Sequence, residues 1–182
     1  MNSIRIISGV HKGRRLKAPK QLPVRPTTDM AKESLFNILN NHFYFEEISV
    51  IDLYSGTGNI AYEFASRGTQ DILAVDQNYA AIKFINTSAE SLGFNIKTIK
   101  SDVIKFLDQH QGQYEVIFAD PPYDFDKSVF ETIKEIVFKK ELLAEDGLLI
   151  IEHTKHTDLS DIENFRNSKS YGSSSFSFFE NN

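Results

Sequence analysis

The chain has 182 residues, 41% apolar and 12% aromatic, which suits one folded domain burying about 70% of its unfolded surface. It has no cysteine, so disulfides, thiolate metal sites and cysteine nucleophiles are excluded. No apolar run reaches membrane-spanning length and no signal-type apolar segment opens the sequence, so a cytoplasmic protein without membrane association is expected.

The net charge of −5 is unevenly spread. Arg5, Lys12, Arg14, Arg15, Lys17, Lys20 and Arg25 crowd the first 28 residues, which hold no acid, while all 25 acidic residues lie beyond. A basic arm on an acidic body suits nucleic-acid contact, because binding responds to the local field and not to the total charge. A solubilising arm that touches nothing is the plainer alternative. Within the arm, Ile4–Gly9 and Arg14–Leu16 read as strand-like pieces of a hairpin around a turn at Val10–Gly13. Pro19, Pro23 and Pro26 then carry an extended connector to Thr27-Thr28-Asp29, a helix-capping segment. The helix that follows sets Ala31, Leu35, Ile38 and Leu39 at helical spacing beside Phe36, a core-facing stripe.

From there strands and helices alternate, as a parallel sheet requires. Val50–Leu53 is a short strand, and Ser55–Asn59 a glycine turn before a helix over Ile60–Arg67. The strand Asp71–Val75 ends in Asp76, and a helix spans about Asn78–Ser91. The strand Ile96–Ile99 leads to Ser101 and Asp102, then a helix over Val103–Gln109 and the apolar strand Tyr114–Ala119. A helix is expected over Lys127–Leu143, a turn at Asp146-Gly147 and a strand over Leu148–Ile151. Extended pieces near Ile162–Arg166 and Ser174–Phe179 close the chain, with Ser173–Ser175 as a flexible turn. The alternation of Ser175, Phe176, Ser177 and Phe178 suits a half-exposed strand inserted antiparallel beside the fifth. His153 and His156, with Thr154 and Lys155 between them, read as a solvated strand end and not as a metal site.

Two constellations carry chemistry. The first is Asp120-Pro121-Pro122-Tyr123, at the end of a strand. The Asp120 carboxylate and the Pro121 carbonyl can accept hydrogen bonds from an amino group. The two prolines fix φ and lack N–H donors, and Tyr123 offers a face for stacking a base. An ordinary proline-rich turn is the alternative. The second is the turn carrying Gly56 and Gly58, which lets a ligand approach the backbone, with Asp76 twenty residues after Gly56 to accept from ribose hydroxyls. Gly56, Gly58 and Ala61 also fit a dinucleotide fingerprint, so an NAD-type site competes. Asp52 weighs against it, because a carboxylate there would repel a pyrophosphate and suits the ammonium of S-adenosylmethionine. A solvated Asp at a strand end remains open.

Asp52-Leu53-Tyr54-Ser55-Gly56-Thr57-Gly58, Asp76 and Asp120–Tyr123 resemble the motifs of class I S-adenosylmethionine-dependent amino-methyltransferases. Arg5–Gly9, Gly13–Leu16, Arg25–Asp29, Glu33–Asn37, Ser66–Gly68 and Tyr171-Gly172 are similar to a narrower family, the bacterial 16S ribosomal RNA guanine-N2 methyltransferases. The resemblance implies an α/β fold: a doubly wound, Rossmann-like, seven-stranded, mostly parallel sheet with an N-terminal β-hairpin extension. Residues 1–27 would form the RNA-contacting hairpin and connector, and 28–182 the methyltransferase domain. Three positions depart from the family pattern: Met30 stands in place of a basic residue, Ser55 of a small apolar one and Ala61 of a glycine.

The resemblance further implies a cytoplasmic monomer that needs no metal and methylates the N2 amine of a small-subunit guanine in an assembled or partly assembled 30S particle. Asp52, Tyr54, Gly56, Thr57, Gly58, Asn59, Asp76, Asp102 and Val103 would hold the cofactor, with Asp102 near the adenine. Asp120, Pro121, Pro122 and Tyr123 would hold the base, and the seven cations of the arm would meet RNA. Rival functions are methylation of a DNA adenine or a protein glutamine, non-catalytic RNA binding, and NAD-dependent oxidation. The last lacks an evident hydride-transfer partner.

Overall fold

The computed structural model describes residues 3–22 and 27–182; Arg25, Pro23 and Pro26 fall outside the described residues. Two short strands, β1 (Ser3–Arg5) and β2 (Arg15–Lys17), pair antiparallel as the expected hairpin. Helix α1 (Asp29–Asn40) starts where Thr28 accepts from the Ala31 N–H at 3.2 Å, and it buries Ala31, Leu35, Phe36 and Leu39. The alternating unit follows: β3 (Ser49–Leu53), α2 (Asn59–Ser66), β4 (Asp71–Asp76), α3 (Tyr79–Leu92), β5 (Ile96–Lys100), α4 (Val103–Gln109), β6 (Tyr114–Ala119), α5 (Lys127–Lys139) and β7 (Leu143–Thr154). A final hairpin, β8 (Phe165–Tyr171) and β9 (Ser174–Glu180), completes the chain.

The seven-stranded sheet has the order β5-β4-β3-β6-β7-β9-β8, and β9 lies antiparallel between β7 and β8. The chain reverses direction on either side of β3, where β4 flanks one edge and β6 the other. That reversal opens a crevice at the carboxyl ends of β3 and β6, the place where open α/β sheets bind ligands. Its near-continuous apolar strands fit a sheet covered on both faces, and two apolar clusters lie there.

Five local expectations are corrected. The helix expected to reach Leu143 ends at Lys139, because Glu141 takes a left-handed φ of 53° and turns the chain into β7. The turn expected at Asp146-Gly147 is an irregularity inside β7, at the register shift between Tyr114 and Val116. There an added Cβ at Gly147 would stand 2.9 Å from the Tyr114 carbonyl oxygen. The penultimate strand lies at Phe165–Tyr171, later than expected. Strand β9 is not half-exposed: Ser175 through Phe179 are all buried between β7 and β8, so Ser175 belongs to a strand and not to a flexible turn. His153 is buried as well, and not solvated. Its Nδ1 faces the Thr154 carbonyl at 2.8 Å, and its Nε2 meets the Ser177 hydroxyl at 2.7 Å. A carbonyl only accepts, so Nδ1 carries the proton and Nε2 accepts from Ser177.

The N-terminal hairpin is bolted to the sheet domain. Ile4 and Ile6 are buried in the same cluster as Phe36, Phe64 and Val116. Gly9 sits so close to the end of α2 that a Cβ would fall 1.8 Å from the Ser66 carbonyl oxygen, which accepts from the Val10 N–H at 2.8 Å. Ser66 also donates its hydroxyl to Ser8 O at 2.6 Å.

The strongest fastening is Glu63, fully buried on α2. Its Oε1 accepts from the Ser8 N–H at 3.0 Å and Arg67 Nε at 2.9 Å. Its Oε2 accepts from the Ile7 N–H at 2.9 Å and lies 3.3 Å from Lys32 Nζ. Removing one partner of a buried ionic cluster strands the others, at a typical cost of about 3–5 kcal/mol. Glu63→Ala should therefore lose about that much stability, a drop of roughly 6–20 °C in melting temperature for a chain of this size. Calorimetry of the two proteins checks it; a change below about 1 kcal/mol would show that the clamp is dispensable.

Candidate active site

A cavity of about 540 Å³ opens at the carboxyl edge of β3, β4 and β6. That is within the roughly 300–1,000 Å³ typical of small-molecule sites. Its walls gather residues from distant parts of the chain. Asp52, Tyr54, Gly56, Thr57 and Asn59 come from the β3–α2 turn, Asp76 from β4, and Asp102 and Val103 from the start of α4. Asp120, Pro121, Pro122 and Tyr123 follow β6 and line the same cavity. The parallel register places Leu53 beside Ala119, so the turns after β3 and β6 emerge side by side.

The β3–α2 turn is held by its own backbone. Gly58 takes a φ of 82°, and a Cβ there would lie 2.8 Å from Tyr62 Cζ. Gly58 is thus a packing glycine beneath the turn and is absent from the cavity wall. Tyr54 adopts a left-handed φ of 56°, a conformation that costs a side-chain-bearing residue roughly 1–3 kcal/mol. Its half-buried phenol has its pKa pushed up to about 12, first by burial and then by Asp102. Its ring meets Phe125 edge-on at 6.1 Å.

Two acids on the wall have their backbone contacts in place. Asp76 accepts from the Gly56 N–H at 2.8 Å with Oδ2 and from the Asn78 N–H at 2.8 Å with Oδ1. Each carboxylate oxygen keeps a further lone pair for a ligand hydroxyl. Asp102 caps α4, with Oδ1 accepting from the Lys105 N–H at 2.9 Å.

Asp52 is of a different kind. It is 2% exposed, and its Oδ2 accepts from the Ala61 N–H at 3.2 Å. Burial pushes its pKa up to about 8; nearby Asp76 and Glu152 add to the rise, and the Ala61 bond opposes it. A buried acid held neutral in this way is poised for a cationic group, whose arrival would restore the charge.

The acidic turn after β6 is anchored where the Asp120 N–H donates to Leu53 O at 3.3 Å and the Tyr123 hydroxyl meets Ser174 Oγ at 2.7 Å. The Phe125 N–H closes the turn on Pro122 O at 3.1 Å. Pro121 is buried, Pro122 exposed and Tyr123 half-buried, which leaves an apolar lip beside the Asp120 carboxylate.

Of the cations assigned to RNA, Lys12, Arg14, Arg15, Lys17 and Lys20 are exposed. Arg5 is half-buried and paired with Asp29 at 2.9 Å. Arg25 lies outside the described residues. The three departures from the family pattern are accommodated: Met30 is exposed, Ser55 donates to Val75 O at 3.2 Å, and the Ala61 methyl is fully buried without displacing its N–H from Asp52.

Sequence reasoning missed several groups. Thr27 and Phe118 join the wall, and Thr27 donates to the buried Glu152 Oε2 at 2.7 Å. Lys32 and Glu63 were also missed. A signal existed for both, since each is a single charge on an apolar helical face: Lys32 lies one turn before Leu35 and Phe36, and Glu63 lies among Ile60, Ala61, Tyr62 and Phe64. Among the described residues, no group of three or more His, Asp or Glu side chains could hold a metal ion, and no helix is long and apolar enough to cross a membrane.

A mostly parallel seven-stranded sheet with an antiparallel strand between the last two, and a glycine turn and an acidic proline turn at its switch point, defines a Rossmann-like methyltransferase. More narrowly, the chain belongs to the family described as conserved hypothetical protein 95, whose model matches residues 4–180. It is 32% identical over 161 residues to a Bacillus subtilis protein named "Putative rRNA methyltransferase YlbH", with 86% of this chain and 85% of that one covered. It is 29% identical over 150 residues to ribosomal RNA small subunit methyltransferase D of Escherichia coli, covering 82% of this chain and 74% of the relative. Among solved structures, the Escherichia coli protein titled "Putative methyltransferase yhhF" superposes with a TM-score of 0.85 at 26% identity, covering 98% and 97% of the two chains. The Thermus thermophilus 16S rRNA N2 G1207 methyltransferase, solved with AdoMet and guanosine, shares the fold at a TM-score of 0.76 and 17% identity, over 99% of this chain and 50% of that one.

The titration of Asp52 has a measurable consequence. Its folded pKa of about 8 lies above the ordinary 3.8, so the folded state keeps a proton that the unfolded chain has released. Stability from this group is therefore full below about pH 4 and is lost as pH rises toward 8. Asp52→Asn should flatten the ligand-free stability profile between those limits, checked by denaturant melts across the range. A slope unchanged by the substitution would remove Asp52 as its source.

Proposed function

We propose that the protein transfers a methyl group from S-adenosylmethionine to the exocyclic N2 amine of a guanine in 16S ribosomal RNA, on an assembled or partly assembled 30S particle. One observation carries this reading: the Asp120–Tyr123 turn opens onto the same cavity as Asp52, Asn59 and Asp76. An acceptor for a flat amine and a holder for a zwitterionic nucleoside thus share one space.

The wall fits the cofactor. Asp52 supplies a buried carboxyl for an ammonium, and a Cβ at Gly56 would meet nothing nearer than 3.9 Å, so ligand can approach that backbone. The methionine part would be held by Asp52 and the turn carrying Gly56, Thr57 and Asn59, the ribose by Asp76, and the adenine by Asp102 and Val103. When bound, S-adenosylmethionine supplies an electrophilic methyl group on a sulfonium.

The chain's own groups do the rest. The Asp120 carboxylate and the Pro121 carbonyl accept the two N–H bonds of the guanine amine and so aim its nitrogen. The rigid prolines hold that geometry, and the Tyr123 ring, pinned through its hydroxyl to Ser174, gives the base a stacking face. Such alignment can supply roughly 7–11 kcal/mol toward a barrier. The methylated nitrogen is acidic, so Asp120 need only accept its proton or pass it to water. A base drawn from RNA must leave its stack, at a cost of a few kcal/mol unless it is already unpaired.

Nucleic acid is favoured over protein by the basic arm, where five exposed cations stand on a body that is otherwise acidic, and RNA is favoured over DNA by the relatives named as ribosomal RNA methyltransferases. If four or five cations of the arm meet phosphates of single-stranded RNA, log K should fall against log salt with a slope near −3. Neutralising one of them, as in Arg15→Gln, should lessen that slope by about 0.7; a slope that stays the same assigns RNA to another face.

The decisive experiment incubates the protein with labelled S-adenosylmethionine and unmodified small subunits, then digests the RNA to nucleosides. Label in N2-methylguanosine is expected. Label in protein, in another nucleoside or nowhere refutes the assignment. Asp120→Ala should keep its affinity for S-adenosylhomocysteine while turnover falls by orders of magnitude. Turnover like that of the unaltered protein would remove Asp120 from its role.

A further inference from the structure

We infer that Lys32 is a positioning residue that aims the carboxamide of Asn59 into the cavity as a hydrogen-bond donor for the ligand's carboxylate. The inference deepens the cofactor assignment above and rests on it.

The chemistry starts from a fully buried ammonium. Lys32 Nζ lies 2.6 Å from Arg5 O, 2.7 Å from Asn59 Oδ1 and 3.3 Å from Glu63 Oε2. Three acceptors match the three protons of an ammonium, and an ammonium has nothing with which to accept. Asn59 must therefore turn its oxygen toward Lys32, and its NH₂ group points the other way. One N–H reaches toward the Thr27 carbonyl at a long 3.5 Å. Asn59 and Thr27 both line the cavity, so the second N–H is available to whatever occupies it. Without Lys32, the carboxamide could rotate and offer its oxygen, which would repel a carboxylate.

The cavity already has a place for the opposite charge. Asp52, buried at the end of β3, suits an ammonium, and Asn59 opens α2 beyond the glycine turn. An amino acid moiety laid between them would find an acid for its ammonium and an amide donor for its carboxylate. The helix start at Asn59 adds a favourable field for an anion. Lys32 takes its remaining contacts from the hairpin, through Arg5 O, and from the Glu63 clamp. The orientation of one ligand donor is thus tied to the seating of the basic arm.

The test is a ratio of affinities. S-adenosylhomocysteine is compared with its analogue lacking only the carboxylate, S-adenosyl-3-thiopropylamine, by calorimetric titration. The unaltered protein should prefer the carboxylate by tenfold or more. Lys32→Met and Asn59→Ala should each bring that ratio close to one, and the double variant should be no worse than either single one. A structural loss would weaken both ligands by the same factor and leave the ratio intact. Because Lys32→Met strands Glu63 and can unfold the chain, Lys32→Met/Glu63→Gln is measured beside it, with a thermal melt of each. A preserved ratio in a folded variant overturns the inference, and so does an unaltered protein with no preference. If the unaltered protein binds neither ligand, the cofactor assignment itself fails.

Discussion

Glu63 is the point on which the two parts of the molecule meet. Its two oxygens collect four donors: two backbone amides from the hairpin, an ammonium from α1 and the guanidinium of Arg67 just past the end of α2. A buried carboxylate survives only when fully satisfied, so each of the four must be in place for the others to be tolerated. The guanidinium of Arg67 is held in turn over the Phe36 ring at 4.7 Å, which couples the charge cluster to the apolar core. The basic hairpin is therefore held in one fixed attitude against α2. A loose arm of the same composition would have to surrender its freedom on every encounter with a partner.

The cavity follows from sheet topology more than from any single side chain. Because β3 is central and its neighbours wind outward in opposite directions, the turns after β3 and β6 have no helix between them and leave a gap. Into that gap the fold places groups that are costly to keep there: a buried acid at Asp52 and a left-handed Tyr54. Strain and unfavourable burial gathered at one edge, on a scaffold of satisfied strands, are the ordinary mark of a site prepared for a ligand. The acidic proline turn is steadied from the far side by Ser174, so the antiparallel β9 also shapes the acceptor half.

Much of this was legible in the chain. The alternation of apolar strands with amphipathic helices, the two motif turns and the acid-free basic segment all depend on local pattern, and the elements they announced appear close to the expected places. The errors came where local pattern underdetermines burial. Ser175-Phe176-Ser177-Phe178 alternates like a half-wet strand, yet β9 is inserted into a sheet covered on both faces, with Phe176 and Phe178 in one apolar cluster and Phe179 in the other. His153 reads as polar and exposed, yet the same insertion brings Ser177 to its Nε2 and makes it a core residue whose basicity burial lowers. Gly56 and Gly58 look alike in a motif, but one borders open space and the other is packed on a phenol.

By itself the sequence determined the class of fold, the order of its elements and the positions of its two motif turns, because periodicity, turn chemistry and charge clustering act over a few residues. Tertiary structure alone decided which groups share a space. Lys32 belongs to α1 while Asn59 and Glu63 belong to α2, Thr27 and Glu152 are farther apart still, and only the packing of α1 and the hairpin onto α2 brings the ammonium within reach of the two α2 side chains. The physical reason is that a buried charge is tolerable only beside its partner, and that partnership is settled by how helices and strands pack, across separations in sequence that no local pattern records.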